Sequence, residues 1–113
     1  MRLWNLITER EIASNIKRAY NFSKRLKGLM FTKSLEKDCG LHIKPCQSVH
    51  TFFMRYPIDV IYLDEDLVVV DVDHHLEPGK IGKVRKKAKS VIEVPAGTIT
   101  ETSLEIGHQL ILK

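Results

Sequence analysis

The sequence predicts an α+β fold that is mostly β: an antiparallel sheet of seven or eight short strands, curled into a small barrel, with one short amphipathic helix packed on it. Three observations support this prediction. Short runs of β-branched and aromatic residues recur along the chain and end at Pro, Gly or Asp. The densest region, Val49 to Val72, has the pattern of three strands in a meander. Only the segment that begins at Phe22 has helical spacing over several turns.

The N-terminal part of the chain predicts a hairpin followed by the helix. The runs Leu3 to Thr8 and Ile12 to Arg18 flank a charged turn at residues 9–11. Asn21 or Ser23 is placed to cap the start of the helix. Apolar residues then recur at i, i+4, i+7 and i+8, which predicts an amphipathic helix of two to three turns: Phe22, Leu26, Leu29 and Met30. Within this helix, Gly28 indicates a close approach of the backbone to a neighbour.

The central meander predicts strands at His50 to Met54, Asp59 to Asp64 and Val68 to Val72. Both faces of the second run are apolar, so we expect that strand to be buried on both sides. The rest of the chain predicts a loop or ragged edge strand, a strand that ends at a Pro-Ala-Gly turn, a short helical turn and a last strand: Lys80 to Lys89, Val91 to Val94, Thr100 to Glu105 and Gln109 to Leu112.

Length and composition are those of one small globular domain spanning residues 1–113, with a net charge of +4. Two cysteines, Cys39 and Cys46, are too few for a disulfide framework. The N-terminal residues lack the apolar run of a signal peptide, and no segment has the length and composition of a membrane span. We therefore expect a soluble, cytoplasmic protein with reduced thiols and no membrane partner.

Four separate motifs resemble the signature of the family called domain of unknown function 192. They are Gly28-Leu29-Met30, His50-Thr51-Phe52-Phe53-Met54, Pro57-Ile58-Asp59-Val60, and Val91-Ile92-Glu93-Val94-Pro95-Ala96-Gly97 with Gly107. The resemblance covers roughly Leu26 to Leu112 and implies a compact β-rich fold. It implies no activity and no catalytic residues.

Asp59 is a single carboxylate in an apolar strand, and Glu93 repeats this feature in a later strand. A buried carboxylate is costly unless it is paired or hydrogen-bonded. Asp59 therefore either fastens the corner after Pro57, through backbone N–H groups or an ion pair, or lies at the floor of a pocket with His50 and Glu93. We favour the structural role for Asp59.

The function that we favour is a small binding or accessory module without a cofactor, whose partner is a small molecule or a protein. Its candidate ligand-binding residues are Arg25, His50, Met54, Asp59 and Glu93. The alternative is a cofactor-free enzyme with hydrolase-like acid/base chemistry, in which His50 acts with Asp59 or Glu93. Two acids and a histidine at strand ends also occur as polar groups inside barrels without any activity, so we prefer a binding function.

A metal site is not predicted, although His42, Cys46 and His50 recur every four residues. Pro45 and the strand-like flanks indicate extended chain, in which side chains four positions apart are about 13 Å from each other. Ligands of zinc lie about 2.0–2.3 Å from the ion. A nucleophilic role for Cys46 or Cys39 is a further hypothesis, because Lys44 and His50 would lower the pKa of a thiol at Cys46, but neither cysteine lies in a nucleophile motif.

Six cations within ten residues make binding of a polyanion or nucleic acid the second alternative: Lys80, Lys83, Arg85, Lys86, Lys87 and Lys89. The run contains no aromatic residue on which a base could stack. It therefore predicts weak, non-specific binding, and a charged sheet edge explains it equally well.

Overall fold

The computed structural model describes all 113 residues. Eight strands and two short helices follow one another as β1 Leu3–Asn5, β2 Arg10–Ala13, β3 Asn15–Ala19, α1 Phe22–Lys27, β4 Cys39–Ile43, β5 Ile58–Leu63, β6 Val69–Leu76, β7 Ser90–Pro95, α2 Thr98–Glu101 and β8 Leu110–Leu112. The predicted α+β, mostly β class is confirmed. Neither helix has the length and apolar composition that crossing a membrane requires.

The strands form two sheets, and the predicted single sheet curled into a barrel is wrong. The smaller sheet has the order β2-β1-β8 and the larger has the order β3-β4-β7-β5-β6. The chain crosses between them at Ser14, where the N–H groups of Ser14 and Asn15 both donate to the carbonyl oxygen of Asp38 at 3.0 Å. The run Ile12 to Arg18 is consequently divided between strands of different sheets. The second of these, β3, pairs parallel to β4 at the edge of the larger sheet.

The larger sheet has a hydrophobic core on each face, which positions everything described below. Twelve buried residues fill the space between the two sheets, among them Ile61, Ile92 and Ile99. Ten more cover the opposite face, among them Val60 and Val91. Residues that alternate along the central strands β5 and β7 point into different cores. All six residues of β5 are buried, as its two apolar faces predict.

Helix α1 is shorter than predicted and does not pack as an amphipathic helix. Asn21 caps it by accepting a hydrogen bond from the backbone N–H of Lys24, at 2.8 Å. Gly28 ends it with a φ of +52°. None of its residues is buried, and Phe22 and Leu26 are 71% and 63% exposed. The apolar stripe therefore does not stay together, because the chain leaves the helix before its last members are reached.

The predicted strand His50 to Met54 is also wrong, since this segment is a folded loop with a single bridge between His50 and Ile81. Thr51 is fully buried and fastens the loop to a second one. Its N–H donates to the carbonyl of Lys80 and its hydroxyl to the carbonyl of Glu77, at 2.8 and 2.6 Å. Both partners are distant in the sequence, 26 and 29 residues away, so these contacts fix the segment as a loop. Local composition does not reveal them.

Candidate functional site

A cavity of about 350 Å³, its open mouth included, lies on the α1 side of the larger sheet. Three parts of the chain enclose it: the end of α1 with the residues after it, the loop after β4, and the middle of β7. Its lining is mixed, with seven hydrophobic residues and several polar ones: Arg25, Leu26, Lys27, Gly28, Leu29, Met30, Ile43, Cys46, Ser48, Val49, His50, Met54 and Glu93.

Glu93 is the acidic residue of this lining, and it has no partner. It lies in β7 between its cross-strand neighbours Leu41 and Val60, and only 2% of it is exposed. No N–H or O–H group of the protein donates a hydrogen bond to its carboxylate, and no cation forms an ion pair with it. Burial raises the pKa of Glu93 from 4.5 to about 8. Burial therefore keeps this carboxyl group mostly protonated at neutral pH.

Gly28 explains how the chain covers this carboxyl group so closely. A Cβ atom at position 28 would lie 3.3 Å from Oε1 of Glu93 and 3.9 Å from Ile43. Its φ of +52° is moreover a conformation that residues with a side chain rarely adopt. The close backbone approach predicted for Gly28 is found, and the neighbour is the carboxyl group of Glu93.

Cys46 lies in the same cavity, and its surroundings do not activate it as a nucleophile. Burial raises the pKa of its thiol, which outweighs the hydrogen bond that the thiol donates to the carbonyl oxygen of Ser48 at 2.9 Å. The charges of Glu93 and Arg25 act on the thiol in opposite directions and have smaller effects. The lowered pKa expected from Lys44 and His50 is therefore absent. Both cysteines are free thiols.

Four of the five candidate ligand-binding residues line this one cavity: Arg25, His50, Met54 and Glu93. Arg25 forms no ion pair, although it shares the cavity with Glu93. Nδ1 of His50 accepts a hydrogen bond from the backbone N–H of Phe52 at 3.2 Å, and the two rings stack with 5.4 Å between their centroids. Met54 is buried against the core of this face.

Asp59, the fifth candidate, lies on the other face of the sheet. It stands opposite Val94 in the register, whereas Glu93 stands opposite Val60, so the two acids point into different cores. Its Oδ1 accepts a hydrogen bond from the N–H of His75, and its Oδ2 accepts two from the N–H groups of Gly97 and Ile99 (2.9, 3.1 and 2.9 Å). Asp59 thus ties the ends of β6 and β7 to α2.

This placement excludes one of the two acid–base pairs considered for an enzyme. His50 lines the cavity on one face of the larger sheet and Asp59 points to the other face, so the two cannot act on one substrate. Of the acid–base pairs that the sequence suggests, only His50 with Glu93 shares a cavity.

The candidate polyanion-binding residues differ among themselves. Five of the six are exposed and form no ion pair: Lys80, Lys83, Lys86, Lys87 and Lys89. Arg85, in contrast, is only 15% exposed and is paired with Asp71 at 2.9 Å and Asp73 at 2.6 Å. It also donates to the hydroxyl of Tyr62 at 2.9 Å. Through these contacts Arg85 holds the loop Lys80 to Lys89, which we call the basic loop, against β5 and β6.

The three residues with a four-residue spacing do not come together. His42 stands opposite Ile92, so its side chain is on the other face of the sheet from Cys46 and His50. It is 2% exposed, and its Nδ1 lies 2.6 Å from the hydroxyl of Tyr20. Burial, aided by Lys44, lowers the pKa of His42 to about 4. No three His, Cys, Asp or Glu side chains form a cluster that could hold a metal ion.

Comparisons with known proteins agree with the motifs. The sequence model of domain of unknown function 192, described as "Uncharacterized ACR", matches residues 5–112. The UPF0127 protein PF1050 of Pyrococcus furiosus is 38% identical over 109 residues, which are 94% of this chain and 93% of the relative. The UPF0127 protein PYRAB11210 of Pyrococcus abyssi is 40% identical over 103 residues, which are 88% and 82% of the two chains.

The fold has a relative among solved structures. A protein of unknown function from Novosphingobium aromaticivorans aligns with a TM-score of 0.84 at 17% identity, over 98% of this chain and 82% of the other. At that identity the likeness shows the fold alone. The chain belongs to the family of domain of unknown function 192, whose archaeal relatives named above carry the name UPF0127.

Proposed function

We propose that the whole chain, residues 1–113, is one binding module, and that its cavity holds a small ligand which contacts Glu93 and Arg25 together. The observation that carries the proposal is the carboxyl group of Glu93, which is buried, faces the cavity and has no hydrogen-bond partner. A carboxyl group that is 2% exposed and has no protein donor is costly to ionise, as the pKa of about 8 for Glu93 indicates. Such a cost is retained in a protein where function requires it.

Two ionisable side chains without an ion-pair partner, Glu93 and Arg25, define the chemistry of the ligand. The carboxylate form of Glu93 calls for a strong donor such as an ammonium group. Arg25 offers guanidinium N–H groups that suit a carboxylate or another anion. The cavity offers only about 60 Å³ to the centre of a water-sized sphere, well below the range for drug-sized ligand sites, so its ligand is very small. A very small zwitterion such as L-alanine, with its ammonium group in the cavity and its carboxylate at the open mouth, meets both charge conditions.

The test uses L-alanine as the zwitterion, with propylamine and propionate as probes that carry only one of its charges. We expect L-alanine to shift the amide signal of Gly28 in an NMR titration. The change in chemical shift should reach its maximum at a concentration of roughly 1 mM or less. Glu93→Gln and Arg25→Gln should each weaken that binding about tenfold or more, because each removes one charge-assisted contact. Arg55→Gln, an exposed arginine outside the lining, is the matched control.

Binding should also move a proton. The carboxyl group of Glu93 is mostly protonated in the free protein at pH 7, because its pKa is about 8, and an ammonium group favours its ionised form. Calorimetry in buffers of different ionisation enthalpy should therefore detect release of about one proton for each L-alanine bound at pH 7. Equal binding of L-alanine and propylamine would remove Arg25 from the site. Unchanged binding in Glu93→Gln would overturn the proposal.

A cytoplasmic location remains part of this proposal. Its support is the cysteine usage of the chain, with two free thiols and no disulfide.

A further inference from the structure

Six large apolar side chains are exposed around the mouth of the cavity, and we call them the rim surface. Between 39% and 75% of each is open to solvent: Phe22, Leu26, Phe31, Phe52, Phe53 and Ile81. All four phenylalanines of the chain are among them. Single exposed apolar residues are ordinary in proteins, but a contiguous group of this kind marks a surface that contacts something else.

The cavity lining and a few direct contacts place the members of the rim surface around one mouth. Phe22 and Leu26 are one turn apart in α1, and Leu26 lines the cavity together with His50. The ring of His50 stacks on Phe52, and its backbone forms the bridge with Ile81. The end of α1, the loop after β4 and the start of the basic loop therefore present one surface.

Phe31 and Phe53 form an aromatic pair within this surface. Their rings stack with 5.3 Å between centroids and 27° between planes, and each residue is 65% exposed. Both have a positive φ, +64° and +62°, which is unusual for a bulky residue. The N–H of Phe31 donates to the carbonyl of Phe53 at 3.1 Å, which holds the two segments together. The fold thus keeps two phenylalanine rings in solvent at some conformational cost.

The segments that form the rim surface are strongly basic. The segments that form it lie within residues 12–35, 39–58 and 78–92, which contain fourteen of the eighteen Lys and Arg and no Asp or Glu. Exposed lysines that form no ion pair alternate with the apolar residues: Lys24 and Lys27 in α1, and Lys80 and Lys83 on either side of Ile81. Glu77, which precedes the third segment, is exposed and lies 2.9 Å from Nε2 of His75.

We propose that the rim surface binds single-stranded nucleic acid, with bases stacked on the phenylalanines and phosphates neutralised by the lysines. Aromatic side chains set in a basic surface are the combination that single strands require. The centre of a protein–protein interface is, in contrast, depleted of charge. The basic run lacks aromatic residues of its own, but the bond between Thr51 and Lys80 brings Phe52 and Phe53 beside it.

The first arm of the test compares ligands. Fluorescence anisotropy would follow labelled twelve-nucleotide oligo(U) and oligo(dT), a duplex of equal length and heparin, at several salt concentrations. We expect both single strands to bind in preference to the duplex and to heparin, with affinity that falls as salt rises. The comparison of the two strands shows whether RNA or DNA is preferred. Equal or tighter binding of heparin would reduce the surface to a polyanion site and overturn the proposal.

The second arm tests stacking with variants of Phe53, which is exposed and outside the core. Phe53→Leu keeps an apolar side chain but removes the ring, and it should weaken oligo(U) binding about tenfold. Phe53→Tyr keeps the ring and should bind as the natural chain does. Lys24→Gln with Lys27→Gln should reduce the slope of affinity against salt. Ile106→Leu, at an exposed site outside the three segments, is the control.

Three results would overturn the proposal: no binding of either single strand, equal binding by Phe53→Leu and Phe53→Tyr, or a preference for anionic phospholipid vesicles or acidic peptides over oligo(U). The proposal is independent of the small-ligand site. Glu93→Gln should lose the binding of L-alanine and keep that of oligo(U), whereas Phe53→Leu should show the reverse.

Discussion

Asp59 and Glu93 are acids in neighbouring strands of one sheet, and both interrupt an apolar run, but the sheet gives them opposite surroundings. Asp59 points into the core between the sheets, where three backbone N–H groups donate to its two oxygens. Glu93 points into the core on the other face, where its carboxyl group meets a cavity and no donor. One acid stabilises the fold, and the other is held at a cost. The difference shows that hydrogen-bond satisfaction, more than burial, separates a structural carboxylate from a candidate site.

The largest effect should come from Asp59→Asn. An amide group cannot accept hydrogen bonds at both of its polar atoms, so at least one N–H group at this buried site would face another N–H group. One hydrogen bond to a charged group, worth about 1.5–3 kcal/mol, would be lost, and the other two would become weaker neutral bonds of about 0.5–1.5 kcal/mol, so we expect a total loss of roughly 3–5 kcal/mol in the free energy of unfolding. A urea titration at pH 7 measures it.

Asp66→Asn is the control for that loss, because the side chain of Asp66 is exposed and accepts no hydrogen bond. It should change the free energy of unfolding by less than about 0.5 kcal/mol. A loss below about 1 kcal/mol in Asp59→Asn would contradict the structural role of Asp59.

The next effect is the pH dependence of stability that Glu93 causes. Because burial raises its pKa from 4.5 to about 8, the folded state binds the proton more tightly than the unfolded state. The stabilisation that the proton brings is complete below pH 4.5 and is lost as the pH rises through about 8. Relative to Glu93→Gln, which does not titrate, the natural chain should lose roughly 3 kcal/mol between pH 4.5 and pH 7.

Urea titrations of both proteins across that pH range test this expectation, and the groups that the two proteins share cancel in the difference. Parallel curves for the natural chain and Glu93→Gln would mean that the carboxyl group of Glu93 is solvated or paired. The contrast between the two acids would then disappear.

A smaller effect concerns the contact that covers Glu93. Gly28 and Gly79 both have a positive φ, +52° and +79°, but only at Gly28 would a Cβ atom meet another residue. Gly79→Ala should therefore cost about 1–2 kcal/mol from the backbone alone. Gly28→Ala should cost about 1 kcal/mol more, because its ψ of −126° lies outside the left-handed region that other residues can adopt and because the new methyl group would press on Oε1 of Glu93. Thermal unfolding of the two variants compares them, and equal costs would show that the carboxyl group can move aside.

Much of the larger sheet could be predicted from the sequence. The two-sided burial of β5 and the strand in the segment Val91 to Val94 follow from local composition, because a strand covered on both faces is apolar throughout. The number of sheets could not be predicted in this way. Whether β1 and β3 share a sheet depends on the crossing at Ser14, which is fixed by the distant carbonyl of Asp38.

The candidate site could also be predicted in part from local composition. An acid in an apolar strand is visible in the sequence, and four of the five candidate residues line one cavity. The face to which each acid points is set by register, and a shift of one residue would exchange the two faces. The exposed rim surface was not predictable, since the spacing of Phe22 and Leu26 is that of a helix whose apolar face is buried.

The most direct test of the contrast between the two acids is an NMR titration of the Glu93 carboxyl carbon, assigned by comparison with Glu93→Gln. We expect a midpoint near pH 8 for the free protein, and a lower midpoint when L-alanine is bound. A midpoint near 4.5 in the free protein would show that the carboxyl group already has water or a protein donor as its partner. The central claim, a buried acid that lacks its partner until a ligand binds, would then be wrong.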